Sequence, residues 1–416
     1  MAKILLETHM KRILSLLLIL SLFLCLSLIS CDNQIDDPRI DDEEEETELS
    51  AEDKALLDDI IFLLNDDTYD SSEFIGKFFG DFYIDSFDSG NDQDNNLSKI
   101  YKIGDVLAVE SKLSPETNYQ IVVNSKLCTV NRTHDGAKLH LSNTEDYPYN
   151  YPLSIFTAFG IDMSSVYSTE ESKIEEPEAT YDSFIISDDK KSVQFSQSYL
   201  RSLAKYLCSS MEMSSEEMTD FLERAMMDSS FDVEKQKFSI VIESTIESVG
   251  DIKIETDATF EDKKPASMRT CITMNAVSDG VPVTTTQEQI MRNMKYENDE
   301  LVSLTIENRS ITNTEYTQNG VAVKYFTSVI GVYDFITEGG KPSSVSIMVN
   351  SDQNISYPGQ SQETHASLNF LVKDGNLTYD LSSAGLQQSY LAAEGVTLTT
   401  PENVTIPEDI YTVLPK

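Results

Sequence analysis

The sequence predicts an α+β protein that is mostly antiparallel β: a large curved sheet or half-barrel of hairpin-connected strands with three helices packed on one face. Three observations carry this. Apolar residues alternate with polar ones over long stretches, as in Ile252, Ile254, Thr256, Ala258 and Phe260 and again in Val321, Val323, Tyr325, Thr327 and Val329. Turn-forming pairs punctuate these stretches at Asp135-Gly136, Asp279-Gly280, Asn319-Gly320 and Asp374-Gly375. Helical periodicity is confined to three segments, and no strand-helix-strand alternation suggests a parallel sheet.

The chain opens with Lys11 and Arg12, an apolar run from Ile13 to Ile29, and small Ser30 before Cys31. A basic start, an apolar middle and a small residue at the cut are the parts of a secretory signal. Met10 is an alternative start that would give a signal of ordinary length. Leu28-Ile29-Ser30-Cys31 resembles a lipobox, the tetrapeptide of bacterial lipoproteins. The resemblance implies cleavage after residue 30, diacylglycerol and acyl groups carried covalently on Cys31, and attachment to a membrane on the extracytoplasmic side of the cell envelope. The leaflet and surface exposure are left open.

Residues 32–49 hold Asp32, Asp36, Asp37, Asp41, Asp42, Glu43 to Glu46 and Glu48 against a single Arg39. Such a block repels itself and buries too little apolar surface to fold, so residues 31–49 are expected to form a disordered tether. The folded body is expected over residues 50–416, as one large domain or as two divided near residue 230.

Leu57, Ile60, Ile61 and Leu64 recur at helical spacing after Ser50 and Asp53, which is a helix start. A second helix stripes Tyr199, Leu200, Leu203, Tyr206 and Leu207. A third opens at the capping box Ser214-x-x-Glu217 and continues through Met218, Phe221, Leu222, Ala225 and Met226. All three apolar faces are read as core-facing, with the methionines filling gaps.

The turn pairs fix registers. A two-residue loop at Asp374-Gly375 sets Val372 against Leu377, Phe370 against Tyr379 and Leu368 against Leu381, all on one face. The same construction at Asn319-Gly320 sets Glu315 against Lys324 and Tyr316 against Val323, and at Asp135-Gly136 it sets Val130 against Leu141.

This layout behind a lipobox resembles the half-barrels of LolA-like and LppX-like envelope lipoproteins, as does the closing PENVTIPEDIYTV, in which Pro401 and Pro407 frame a short apolar strand. The resemblance implies a non-catalytic cavity for a lipid or other apolar ligand. Its lining would be Phe238, Ile240, Ile242, Ile254, Phe260, Phe370 and Tyr379, with Phe156 and Phe159 from an aromatic segment, Tyr147 to Met163, at its mouth. The other reading of that segment is a loop whose aromatics complete an ordinary core. The alternative function is a structural or protein-interaction surface lipoprotein whose core is filled by its own side chains, with envelope proteins as partners.

A net charge of −40 repels phosphate backbones and disfavours nucleic acid. No complete catalytic motif is present, so no enzyme is expected. Ser202-x-x-Lys205 lacks the further motifs its chemistry needs. The four histidines, His9, His134, His140 and His365, are not at metal spacing, and His134 and His140 flank a turn without facing each other. Asn91 to Asn96 alternates acids like a calcium loop but has Leu97 and Ile103 where glycine and glutamate belong. No cofactor or metal is therefore expected. Beyond the signal the cysteines are Cys31, Cys128, Cys208 and Cys271, and the last three are expected to be buried thiols.

Overall fold

A computed structural model of the chain describes residues 49–65, 74–75, 77–78, 82–87, 98–104, 106–111, 116–123, 126–133, 136–141, 177–210, 215–246, 249–278, 281–318, 320–383, 386–398 and 401–414. Cys31 and its signal, the tether up to residue 48, the Asn91 to Asn96 loop, Asp279-Gly280, and the aromatic segment with Phe156 and Phe159 lie outside these residues. The body folds as two compact units. Unit one draws on Met1–Asp70 and Glu171–Gly280, and unit two on Ser71–Glu170 and Val281–Lys416.

In chain order the elements are α1 (Ala51–Asn65), β1 (Phe82–Phe87), β2 (Ser98–Ile103), β3 (Val106–Ser111), β4 (Thr117–Val123), β5 (Lys126–Thr133) and β6 (Gly136–Leu141). There follow β7 (Phe184–Ile186), β8 (Ser192–Phe195), α2 (Gln197–Ser210), α3 (Ser215–Arg224), β9 (Met226–Asp232), β10 (Lys237–Ile246), β11 (Gly250–Glu261) and β12 (Lys264–Ser278). The chain closes with β13 (Val281–Glu297), β14 (Glu300–Gln318), β15 (Val321–Glu338), β16 (Lys341–Tyr357), β17 (Gln360–Lys373), β18 (Asn376–Ser383), β19 (Leu386–Thr397) and a one-turn helix, α4 (Asp409–Thr412). The fold is mostly antiparallel β in open sheets, as the alternation predicts.

Unit one pairs β7 through β12 in sequence order. Even-numbered residues of β10 and β11 point to one face, where Phe238, Ile242, Ile246, Ile252, Ile254 and Phe260 are buried with Ile272 and Met274 of β12. The three expected helices all close this face: Leu57 and Ile60 come from α1, Leu200 and Ala204 from α2, and Phe221 from α3. The third is shorter than expected, since it ends at Arg224, and Met226, expected on its core-facing stripe, opens β9 with its side chain exposed. The starts of the first two are those the residues dictate, while Ser214 of the expected capping box lies outside the described residues. The Asp53 amide donates to Ser50 Oγ at 3.1 Å, and the Tyr199 amide donates to Ser196 Oγ at 3.3 Å. Glu52 with Asp53, and Glu216 with Glu217, place acid in the first turns of α1 and α3, where the helix dipole favours it. α1 is also pinned by charge, since Lys190 Nζ reaches Glu52 at 2.8 Å and Asp53 at 2.9 Å, Lys263 reaches Asp59 at 2.6 Å, and the Tyr181 hydroxyl donates to Asp58.

Gly250 in this unit has φ +124, and a Cβ there would stand 2.2 Å from the Asn275 carbonyl oxygen. Only glycine fits the backbone and the space.

Unit two runs β13 to β19 in order and continues from β19 to β1 and on to β6. β13 to β16 are 17, 19, 18 and 17 residues long, about 55 to 65 Å at roughly 3.3 Å per residue. On the inward face Leu304, Ile306, Phe335, Val345, Ile347, Phe370 and Val372 are buried, and Phe78 packs its ring 5.1 Å from that of Phe335. A second core gathers Tyr101, Val106, Ala108, Tyr119, Ile121 and Val130 under Ile410 of α4. Arg132 Nε bonds both carboxylate oxygens of Asp409 at 3.0 Å and fixes that helix turn.

Two of the three registers hold as constructed. Lys373 faces Asn376 and Phe370 faces Tyr379, with Asp374 at φ 50 and Gly375 at φ 75, the positive pair that a two-residue turn of this hand needs. Glu315 faces Lys324. At the third turn Thr133 pairs with Gly136, so Val130 faces Leu139 and Cys128 takes Leu141. That corrects the expected register by two residues: Gly136 belongs to the strand, and residues 134 and 135 lie between the paired ends. His140 consequently faces Thr129. The chain end also differs from expectation. Residues 401–408 form turns without strand pairing, with the Val404 amide bonded to the Pro401 carbonyl and the Ile410 amide to that of Pro407. Two prolines without N–H groups leave too few donors there for a ladder.

Candidate functional site

Val323, Tyr333 and Phe335 set the phase of β15. Their side chains are buried, so Lys324, Phe326 and Ser328 lie on the other, outward face, where Ser328 is itself covered. Phe326 is thereby a large apolar ring, 37% exposed, on a face that it shares with the polar Asn313, Lys324 and Asn354 and, farther along, with Ile336, Met348 and Leu371.

Antiparallel pairing surrounds that ring with amides. Asn313 of β14 lies directly opposite Phe326 on one side, and Asn354 of β16 lies directly opposite on the other. The next rung holds Glu315, Lys324 and Ser356 in the same order, with Lys324 Nζ 3.2 Å from Glu315. Together with Pro282 of β13 these residues line an open groove of about 520 Å³, which is within the range of small-ligand sites. Asn354 is oriented from two sides: Ser356 Oγ donates to its Oδ1 at 2.8 Å, and its Nδ2 donates to Glu363 at 3.1 Å. Among the described residues the Asn313 amide has no side-chain partner, so its two donors and its acceptor face solvent in the groove.

Further along the same face an ion network stiffens the sheet. Arg309 donates to Glu307 at 2.6 Å and to Glu288 at 3.0 Å, while Arg292 reaches Glu307 at 2.9 Å. The hydrogen bond from Arg309 to Glu307 holds the guanidinium pKa above its usual value, opposed by partial burial. Thr305 donates to Asp334 at 2.6 Å and accepts from Asn293 at 3.1 Å.

Beside the groove, Ser328, Asp352 and His365 share one rung, with His365 Nδ1 2.7 Å from Asp352. The aspartate stands between the serine and the histidine. A nucleophilic triad needs the histidine in that place, so this rung cannot pass the serine proton to imidazole. Among the described residues no cluster of His, Cys, Asp and Glu could hold a metal ion. What the arrangement offers is recognition: an apolar ring face bordered by fixed amides and by an ion pair whose charges cancel.

No protein-family model, no curated protein and no solved structure matches the chain.

The expected lining residues fall in two places. Phe238, Ile240, Ile242, Ile254 and Phe260 come together in unit one, where they pack against the helices; the Phe195 ring lies 5.1 Å from that of Phe238, and Ser244 Oγ donates to the Phe221 carbonyl at 2.7 Å. Phe370 is buried in unit two opposite Ile347. Tyr379 stands opposite Phe370, and its side chain lies outside the described residues, as do Phe156 and Phe159. Cys128, Cys208 and Cys271 are buried, and burial pushes the Cys208 thiol up to about 12. The sequence reading missed Asn313, Phe326 and Asn354. The signal was present, because extending the Glu315–Lys324 register by one rung brings Asn313 opposite Phe326.

Proposed function

We propose that this chain is a lipid-anchored extracytoplasmic protein that binds its partner non-covalently on the outward face of β13 to β16. The lipobox residues ending at Cys31 support the anchor, and the acidic residues 32–49 support a solvated spacer between membrane and body. The observation that carries the binding role is Phe326, exposed between the two amides of Asn313 and Asn354 in an open groove. A large ring kept in water beside oriented polar groups is typical of a recognition surface. Leu200, Ala204 and Phe221 pack onto the side chains once expected to line a cavity, and this supports the filled-core reading over an internal apolar cargo.

Two measurements test the proposal. Cells fed labelled palmitate should mark the wild-type chain and not Cys31→Ser; an equal label on both removes the anchor. The full chain, held in a detergent without sugar headgroups, should co-sediment with isolated cell-envelope material, and Phe326→Ala should abolish this. Sedimentation that ignores Phe326 removes the groove.

A further inference from the structure

We propose that the groove on the Asn313, Phe326 and Asn354 rung takes a neutral saccharide. The inference rests on the groove being the binding site and adds the chemistry of its occupant.

A sugar ring carries an apolar face of C–H groups and a rim of hydroxyls that both donate and accept. The rung supplies the complement of each. The exposed Phe326 ring meets the apolar face, and the amides of Asn313 and Asn354 stand on the neighbouring strands, about 5 Å to either side, where rim hydroxyls would lie. Amides can donate and accept together, as hydroxyls do. Asn354 is already oriented by Ser356 and Glu363, so little ordering remains for it on binding. Glu315 and Lys324 provide an acceptor and donors at the adjacent rung.

Other occupants fit less well. Lys324 is balanced by Glu315 and the chain carries −40 overall, so a polyanion meets repulsion and no compensating cation. A purely apolar molecule would cover Asn313, Asn354, Glu315 and Lys324 without satisfying them, a cost that one phenyl ring does not offset. A neutral, hydroxyl-rich ligand avoids both penalties.

The test is an array of immobilised neutral and anionic oligosaccharides probed with the detergent-solubilised full chain. At least one neutral oligosaccharide should bind. Phe326→Ala should weaken it by at least about tenfold, whereas Phe326→Tyr, which keeps the ring, should stay within about threefold. Binding to anionic sugars alone, or to none, overturns the inference. Treating the envelope material before sedimentation separates the two levels of the account. Phe326-dependent binding that survives periodate and is lost to protease overturns the saccharide and leaves the groove, while binding independent of Phe326 overturns both.

Discussion

Asn313 of β14 stands directly opposite Phe326 of β15, so an amide and a solvent-facing phenyl share one antiparallel rung on the outward face of unit two. The placement follows from Val323, Tyr333 and Phe335, whose burial fixes which side of the strand faces out. Because the ring lies outside the core, Phe326→Ala should cost little stability, within about 0.5 to 1 kcal/mol. Thermal unfolding of the variant should therefore superimpose on wild type within a few degrees while groove binding is lost. A large drop in midpoint would mean that Phe326 is a packing residue.

Glu307 is the acid shared by two guanidinium groups, and its side chain is only 9% exposed. Glu307→Gln keeps the shape but leaves Arg292 and Arg309 short of a counter-charge. Since both arginines reach water, the loss should be about 1 to 3 kcal/mol and not the full cost of an orphaned buried charge. Urea unfolding of the two proteins, compared at equal slope, measures it.

The attachment of α1 should depend on pH in a defined direction. The Asp53 carboxyl is held below the usual carboxylate range by the Ser50 hydroxyl and by Lys190, so its contribution is present above the unfolded value, about pH 4, and fades as pH falls through the lowered one. Lys190 is raised by Glu52 and Asp53, so its part is full below about pH 10 and fades as pH rises through the raised value. The gap in urea midpoint between wild type and Asp53→Asn should be open at pH 7 and close toward about pH 3. A gap that widens in acid would contradict the sign.

Cys128, Cys208 and Cys271 are buried, and Cys208 is further protected by its raised pKa. Iodoacetamide at pH 8 should leave all three unmodified in the native protein and modify all three in urea. Mass spectrometry of tryptic peptides reports the result directly.

Much of the fold was legible because two independent signals agreed in it. At Asp374-Gly375 the turn pair and the apolar alternation both demand the register that places Phe370 opposite Tyr379. At Asp135-Gly136 the alternation could not detect the error, since a shift of two residues returns every side chain to the same face and leaves Val130 opposite a leucine either way. Which segments make up each of the two units was hidden for a different reason. Each is assembled from segments far apart in the chain, and periodicity carries no information about such long-range partners. Apolar strand residues such as Ile242 and Ile254 look alike in sequence whether they line a cavity or meet a helix; Phe221 and Leu200 decide that in space. Phe326 could have been found as the first bulky apolar residue after the Asn319-Gly320 turn on the phase of Lys324 and Ser328, but the groove around it depends on three neighbouring strands at once.

The central claim is that the outward face around Phe326 is the binding surface. Hydroxyl-radical footprinting of the full chain, alone and with isolated cell-envelope material, tests it most directly. Oxidation of Phe326 should fall several-fold on binding, while Met226 and Ile185, 69% and 56% exposed in unit one, should be oxidised as before. Unchanged oxidation at Phe326, or protection that appears at Met226 and Ile185 instead, would contradict the account.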